Sequence, residues 1–156
     1  MKKLSKEAEN IMIARFGKDT VIALATAENQ VPYVRYVNAY YEDGAFYVIT
    51  YALSNKMKHI ENNSSVAIAG EWFTAHGKGI NLGYWGKEKN RRLAEKLQSV
   101  FSEWIDNGHN DFCDENTYIP IYLYLLLPNL LKPDNLLLHG YLSYLISVFH
   151  KLFFIF

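Results

Sequence analysis

From residue 19 to residue 50 the chain runs in short stretches of β-branched and aromatic residues, each closed by a polar turn. Residues 19–27 are rich in Val, Ile, Leu, Ala and Thr, and Glu28-Asn29-Gln30 turns the chain after them. Residues 31–41, dense in Val and Tyr, predict a second strand, with Pro32 near its start, where a missing N–H is tolerated. Asp43-Gly44 is a tight hairpin signal, and residues 45–50 return as a third strand. Residues 65–73 and 74–81 predict two more. Gly77 and Gly79 inside the latter indicate a bulge, a barrel corner or the close approach of another backbone.

Helical signals surround these strands. Residues 2–16 predict a helix with Ser5 as cap, Glu7 and Glu9 in the first turn, and Gly17 as terminator. A short helix starts after Ser54. Residues 87–105 place Leu93, Leu97, Val100, Phe101 and Trp104 on one apolar stripe with charges between them, and Asn107-Gly108 closes that helix. Together these elements predict a mainly β (α+β) domain, a small six-stranded barrel with peripheral helices.

Candidate chemistry concentrates in Thr50-Tyr-Ala-Leu-Ser-Asn-Lys-Met-Lys-His-Ile-Glu-Asn-Asn63, which leaves a strand, turns and starts the short helix. A helix N-terminus presents unpaired N–H donors and a partial positive charge, so it can receive a phosphate. Ser54 can cap the helix or lend its hydroxyl, and Lys56 adds a point charge. On the second strand the period of two puts Tyr33, Arg35 and Val37 on one face. If that face is outside, Arg35 is simply solvated; if inside, Arg35, Thr50, Ser54 and Lys56 can converge on one dianion.

The order of these pieces resembles the pyridoxamine 5'-phosphate oxidase-like family of FMN-binding split β-barrels. The resemblance rests on Arg35 after Pro-Tyr-Val, then the hairpin, Thr50 with Ser54-Asn55-Lys56, and Ile60-Glu61-Asn62-Asn63 before the next strand, and it spans residues 5–117. It implies that Arg35, Thr50, Ser54 and Lys56 hold the phosphate of FMN, with Asn55 at a position often taken by Arg. It also implies that backbone around Tyr36, Val37 and Ile49 lies near the flavin ring, and that the protein is a homodimer with flavin at the subunit interface. The activity implied is that of an FMN-dependent oxidoreductase acting on a small molecule, with no side chain nominated as acid or base. The alternative is a module that binds flavin or haem without turnover. Oxidation of pyridoxamine 5'-phosphate itself calls for an Arg-x-His element near the C-terminus, and residues 118–156 contain no arginine. A nitro-compound or quinone reductase would need only flavin and an open pocket.

Charge narrows the partners. Sixteen basic and sixteen acidic side chains leave no basic field to draw nucleic acid. Cys113, the only cysteine, rules out an internal disulfide and fits a reducing cytoplasm, and no secretory signal precedes the first helix. It sits among acids that raise a thiol pKa, which argues against a nucleophile. No histidine recurs at metal-ligand spacing. His59 and His76 read as structural or surface, with a hydrogen bond to the flavin edge or substrate as the alternative for His76. Trp72, Tyr84 and Trp85 read as walls of a flat pocket or as core.

Composition also divides the chain into a split-barrel domain at residues 1–117 and an atypical hydrophobic tail at 118–156. The first part holds 29 of the 32 charged side chains, so the final barrel strand is expected to be degraded or replaced in the second. A misread terminus, a membrane anchor over residues 136–156 and a genuine greasy strand and helix are the three origins open to the tail. Histidines 139 and 150 and Lys151 count against the anchor.

Overall fold

In the computed structural model, residues 4–70, 73–105, 115–119 and 123–126 are described. Helix α1 (Lys6–Phe16) begins on Ser5, whose hydroxyl accepts from the N–H of Ala8, and ends at Gly17. It buries Ala8, Met12 and Phe16, one residue every turn, against the barrel. Strands β1 (Thr20–Glu28) and β2 (Val31–Glu42) form a long antiparallel hairpin. Asn29 and Gln30 both take positive φ at its turn, the geometry that matches the right-handed twist of the flanking strands. Asp43-Gly44 does the same between β2 and β3 (Ala45–Tyr47).

The third strand is shorter than its sequence predicts. Pairing with β2 covers only Tyr40–Glu42, and the chain then leaves the barrel. Val48 is buried in the barrel core and Ile49 in a second core, so two consecutive residues bury opposite sides of the departing chain. Thr50 and Tyr51 form β4, which pairs with β7 (Thr117–Tyr118) in a separate two-stranded sheet. Helix α2 (Asn55–Asn62) follows at once. Strands β5 (Ser65–Gly70) and β6 (Phe73–Lys78) form the next hairpin. Beyond β6, Gly79 gives close approach: a Cβ there would lie 3.2 Å from the Ile60 side chain of α2.

Six strands close into a barrel in the order β1-β2-β3-β8-β6-β5, as the sequence predicts. The closing strand comes from the compositionally distinct tail. Segment β8 (Leu123–Leu126), from the tail set apart on composition, pairs with both β3 and β6. Ile119 just before it is fully buried. The strand forms without the apolar/polar alternation by which sequence patterning recognises one, so the loss of alternation that marked the tail does not signal the loss of the strand. The remainder of the tail, including residues 136–156, lies outside the described residues, and no helix among those described is long and apolar enough to cross a membrane.

The long helix predicted at residues 87–105 is divided. A 3-10 turn (Glu88–Asn90) leads into α3 (Arg91–Val100), and turns continue to Ile105. Asn90 causes the break: its amide is buried and donates to the carbonyls of Leu82 and Tyr84, fixing the helix entry to the preceding loop. Leu97, Phe101 and Ile105 then pack with Trp85, Tyr40 and Ile119 in the second core outside the barrel. Trp85 is therefore core; Trp72 lies outside the described residues.

Candidate functional site

Arg35 faces inward. Its partner across the β1–β2 ladder is Leu24, which is fully buried, and opposed residues of an antiparallel pair point to the same side. Val37, two residues on, belongs to the barrel core. At Arg35 the guanidinium is half-buried: Nη1 donates to Thr26 Oγ1 at 2.7 Å and to the Leu24 carbonyl at 3.3 Å. Burial lowers its pKa from the ordinary guanidinium value, which leaves an arginine charged at any ordinary pH.

Lys56 enters from the first turn of α2, which lays Met57, His59 and Ile60 into the fold. Its pKa is lowered from 10.5, first by burial and then by the charge of Arg35. The charge of Arg35, on a different element, is thus felt at Lys56. Neither forms an ion pair with an acid among the described residues. Beside Lys56, Ser54 occupies the N-cap position without making a cap hydrogen bond. Its hydroxyl is buried with no hydrogen-bond partner, the only such side-chain atom among the described residues. A buried hydroxyl left unbonded costs about 1–3 kcal/mol. Of the two roles the sequence leaves open for Ser54, the free hydroxyl is the one present.

The other predicted residues fall as follows. Thr50 is buried on β4, four residues before Ser54. Asn55 is exposed at the start of α2. Ile49 is buried where the chain departs from β3. Tyr36 points outward and is 80% exposed, whereas Val37 points into the core. Because β3 pairs with β2 only at Tyr40–Glu42, no described strand covers the edge of β2 opposite β1 from Val31 to Ala39. Backbone groups of Tyr36 and Val37 lie in that stretch. His76 is exposed on β6 beside Ala67 of β5, away from the Arg35 network.

Sequence reasoning passed over Thr26 and read His59 as structural or surface. Both are buried, and Thr26 Oγ1 lies 2.9 Å from His59 Nδ1. The other ring nitrogen, Nε2, is 3.5 Å from Glu28 Oε2, and Tyr33 packs on the ring with centroids 4.6 Å apart. Glu28 and Tyr33 lie near the turn ends of β1 and β2, on the same inward side as Thr26. A polar Thr at an inward position of an otherwise apolar strand was the available signal.

A groove of about 380 Å³ at the end of α1, lined by Arg15, Lys18 and Thr20 among others, shares no residue with this cluster.

No family model and no curated protein matches the chain. Solved structures do. An FAD-binding protein from Mesorhizobium loti is 18% identical with a TM-score of 0.55, and the match covers 77% of this chain and 90% of that one. A candidate pyridoxamine 5'-phosphate oxidase from Listeria innocua is 11% identical with a TM-score of 0.52, over 77% and 96%. The haem storage protein HutZ from Vibrio cholerae is 16% identical with a TM-score of 0.56, over 78% and 91%. The chain therefore has the split-barrel fold that these flavin- and haem-binding proteins share.

Proposed function

We propose that the protein binds FMN and serves as a flavin-dependent oxidoreductase for a small molecule. The observation that carries this reading is the buried, unbonded Ser54 hydroxyl two residues before Lys56, a lysine that feels the charge of Arg35, with neither cation ion-paired to an acid among the described residues. A phosphate dianion fits that donor set, with Thr50 and the first N–H groups of α2 as further donors. The uncovered edge of β2 supplies backbone donors and acceptors for the polar rim of a flat ring near Tyr36, Val37 and Ile49. When bound, flavin would supply the hydride or electron transfer, and the protein's part is to hold and orient it.

A second copy of the chain is the partner this reading requires. The outer face of the β1–β2 hairpin exposes Val21, Val34 and Tyr36, with Ala23, Ala25, Ala67 and Ala69 half-buried around them. Such a flat apolar patch on a chain of zero net charge suits self-association.

Flavin or haem binding without turnover is the second reading, and the likeness to HutZ favours it. His59, with both ring nitrogens engaged, is not available to a haem iron, which leaves His76 among the described histidines. Colour separates the readings. Protein purified with FMN should be yellow, bleach with a nicotinamide donor and recover with oxygen or a nitroaromatic acceptor. Yellow protein that no donor reduces is a binder, a Soret band after haem addition marks a haem protein, and failure to retain FMN rejects the leading reading.

A further inference from the structure

We propose that Thr26 and His59 form a positioning relay that turns Arg35 edge-on to its anion and so sets the preference for a phosphorylated flavin. This rests on the phosphate reading above and assigns the work of two residues outside it.

Hydrogen-bond direction orders the relay. A guanidinium has only donors, so Thr26 Oγ1 must accept from Arg35 Nη1 at 2.7 Å. The single hydroxyl proton of Thr26 has His59 Nδ1, at 2.9 Å, as its partner among the described residues, and we assign Nδ1 as the acceptor, the tautomer that turns Nε2–H toward Glu28. In a neutral imidazole the remaining proton sits on Nε2, the nitrogen that faces the Glu28 carboxylate at 3.5 Å. Each donor therefore points toward Glu28, from Arg35 through Thr26 and His59. Tyr33 packs against the imidazole and restrains its plane.

The consequence lies on the arginine. Nη1 carries two protons, and Thr26 Oγ1 and the Leu24 carbonyl take both. Among the described residues Nε and Nη2 have no acceptor, and these two form the fork that grips a phosphate through two parallel bonds. Without the relay the guanidinium can rotate about its terminal torsions and meet an anion through one nitrogen. Positioning, not contact, is the role assigned to Thr26 and His59.

The test compares FMN with riboflavin, which lacks the phosphate, by fluorescence titration of the full chain. Thr26→Val keeps the shape and removes the hydroxyl; it should weaken FMN about tenfold and leave riboflavin within about twofold. Thr26→Ser restores the hydroxyl and should restore FMN binding. His59→Asn, whose amide oxygen can accept from Thr26, should retain more of the preference than His59→Phe. In an Arg35→Ala background, Thr26→Val should add no further loss of FMN preference, because the relay acts through that side chain. Equal weakening of FMN and riboflavin in Thr26→Val would show a merely structural role and overturn the proposal. So would unchanged FMN affinity in a variant whose melting curve matches the wild type. If the wild-type protein itself binds FMN no better than riboflavin, the phosphate reading falls first and the relay with it.

Discussion

Strands β1 and β2 have two unlike faces, and each departs from the usual barrel rule at one place. The inner face is apolar along most of its length, yet toward the β1–β2 turn it carries Thr26 and Arg35, bonded to each other and to His59 and the Leu24 carbonyl. The outer face should be polar where water meets it, yet Val34 is 69% exposed and Val21 57%. A barrel made only for stability would bury the valines and expose the arginine. Polar groups inside and apolar groups outside, on the same two strands, are what the proposed ligand end and the proposed partner face rest on.

Substitutions on the two faces should therefore fail in different ways. The largest effect is expected at the fully buried inner position Leu24: Leu24→Ala should cost about 2–5 kcal/mol in denaturant unfolding, through the cavity it leaves. Val34→Asp on the outer face should leave the barrel folded by circular dichroism and shift the protein to a smaller species in sedimentation. An unchanged sedimentation coefficient would remove the partner face from the comparison. The smallest effect concerns pH. In the free protein, burial and Arg35 make folded Lys56 release its proton below 10.5, so the unfolded chain holds more protons in that window and apo stability rises with pH across it. Anion binding has the opposite sign, because a neutral lysine attracts no phosphate. Affinity for FMN should fall on titration from about pH 7 to 10, and Lys56→Arg should flatten that fall.

The elements were legible where local chemistry decided them. Asp43-Gly44 marked its hairpin because its φ values suit few other residues, and Ser5 marked the start of α1 by the hydrogen bond it makes. What local chemistry did not decide was less legible. The chain leaves β3 at Val48–Ile49 because two cores compete for consecutive residues, and β7, 66 or more positions later, holds the departing segment. The closing strand β8 was hidden because Leu123–Leu126 lacks the alternation that marks a strand, and its partners β3 and β6 lie far away in the sequence. At the site, Arg35 and Lys56 were readable as cations at telling positions. The direction of Arg35 was left open, and its pairing with the buried Leu24 turns it inward. The role of His59 was hidden because its partners Thr26 and Glu28 come from strand β1, more than thirty positions away.

One titration tests the central claim most directly: FMN binding to the wild-type chain and to Arg35→Ala and Lys56→Ala. Each substitution removes one cation from a site that holds two and should weaken FMN by about 1.5–3 kcal/mol, while riboflavin binding changes little. Wild-type FMN affinity in both variants would contradict the account.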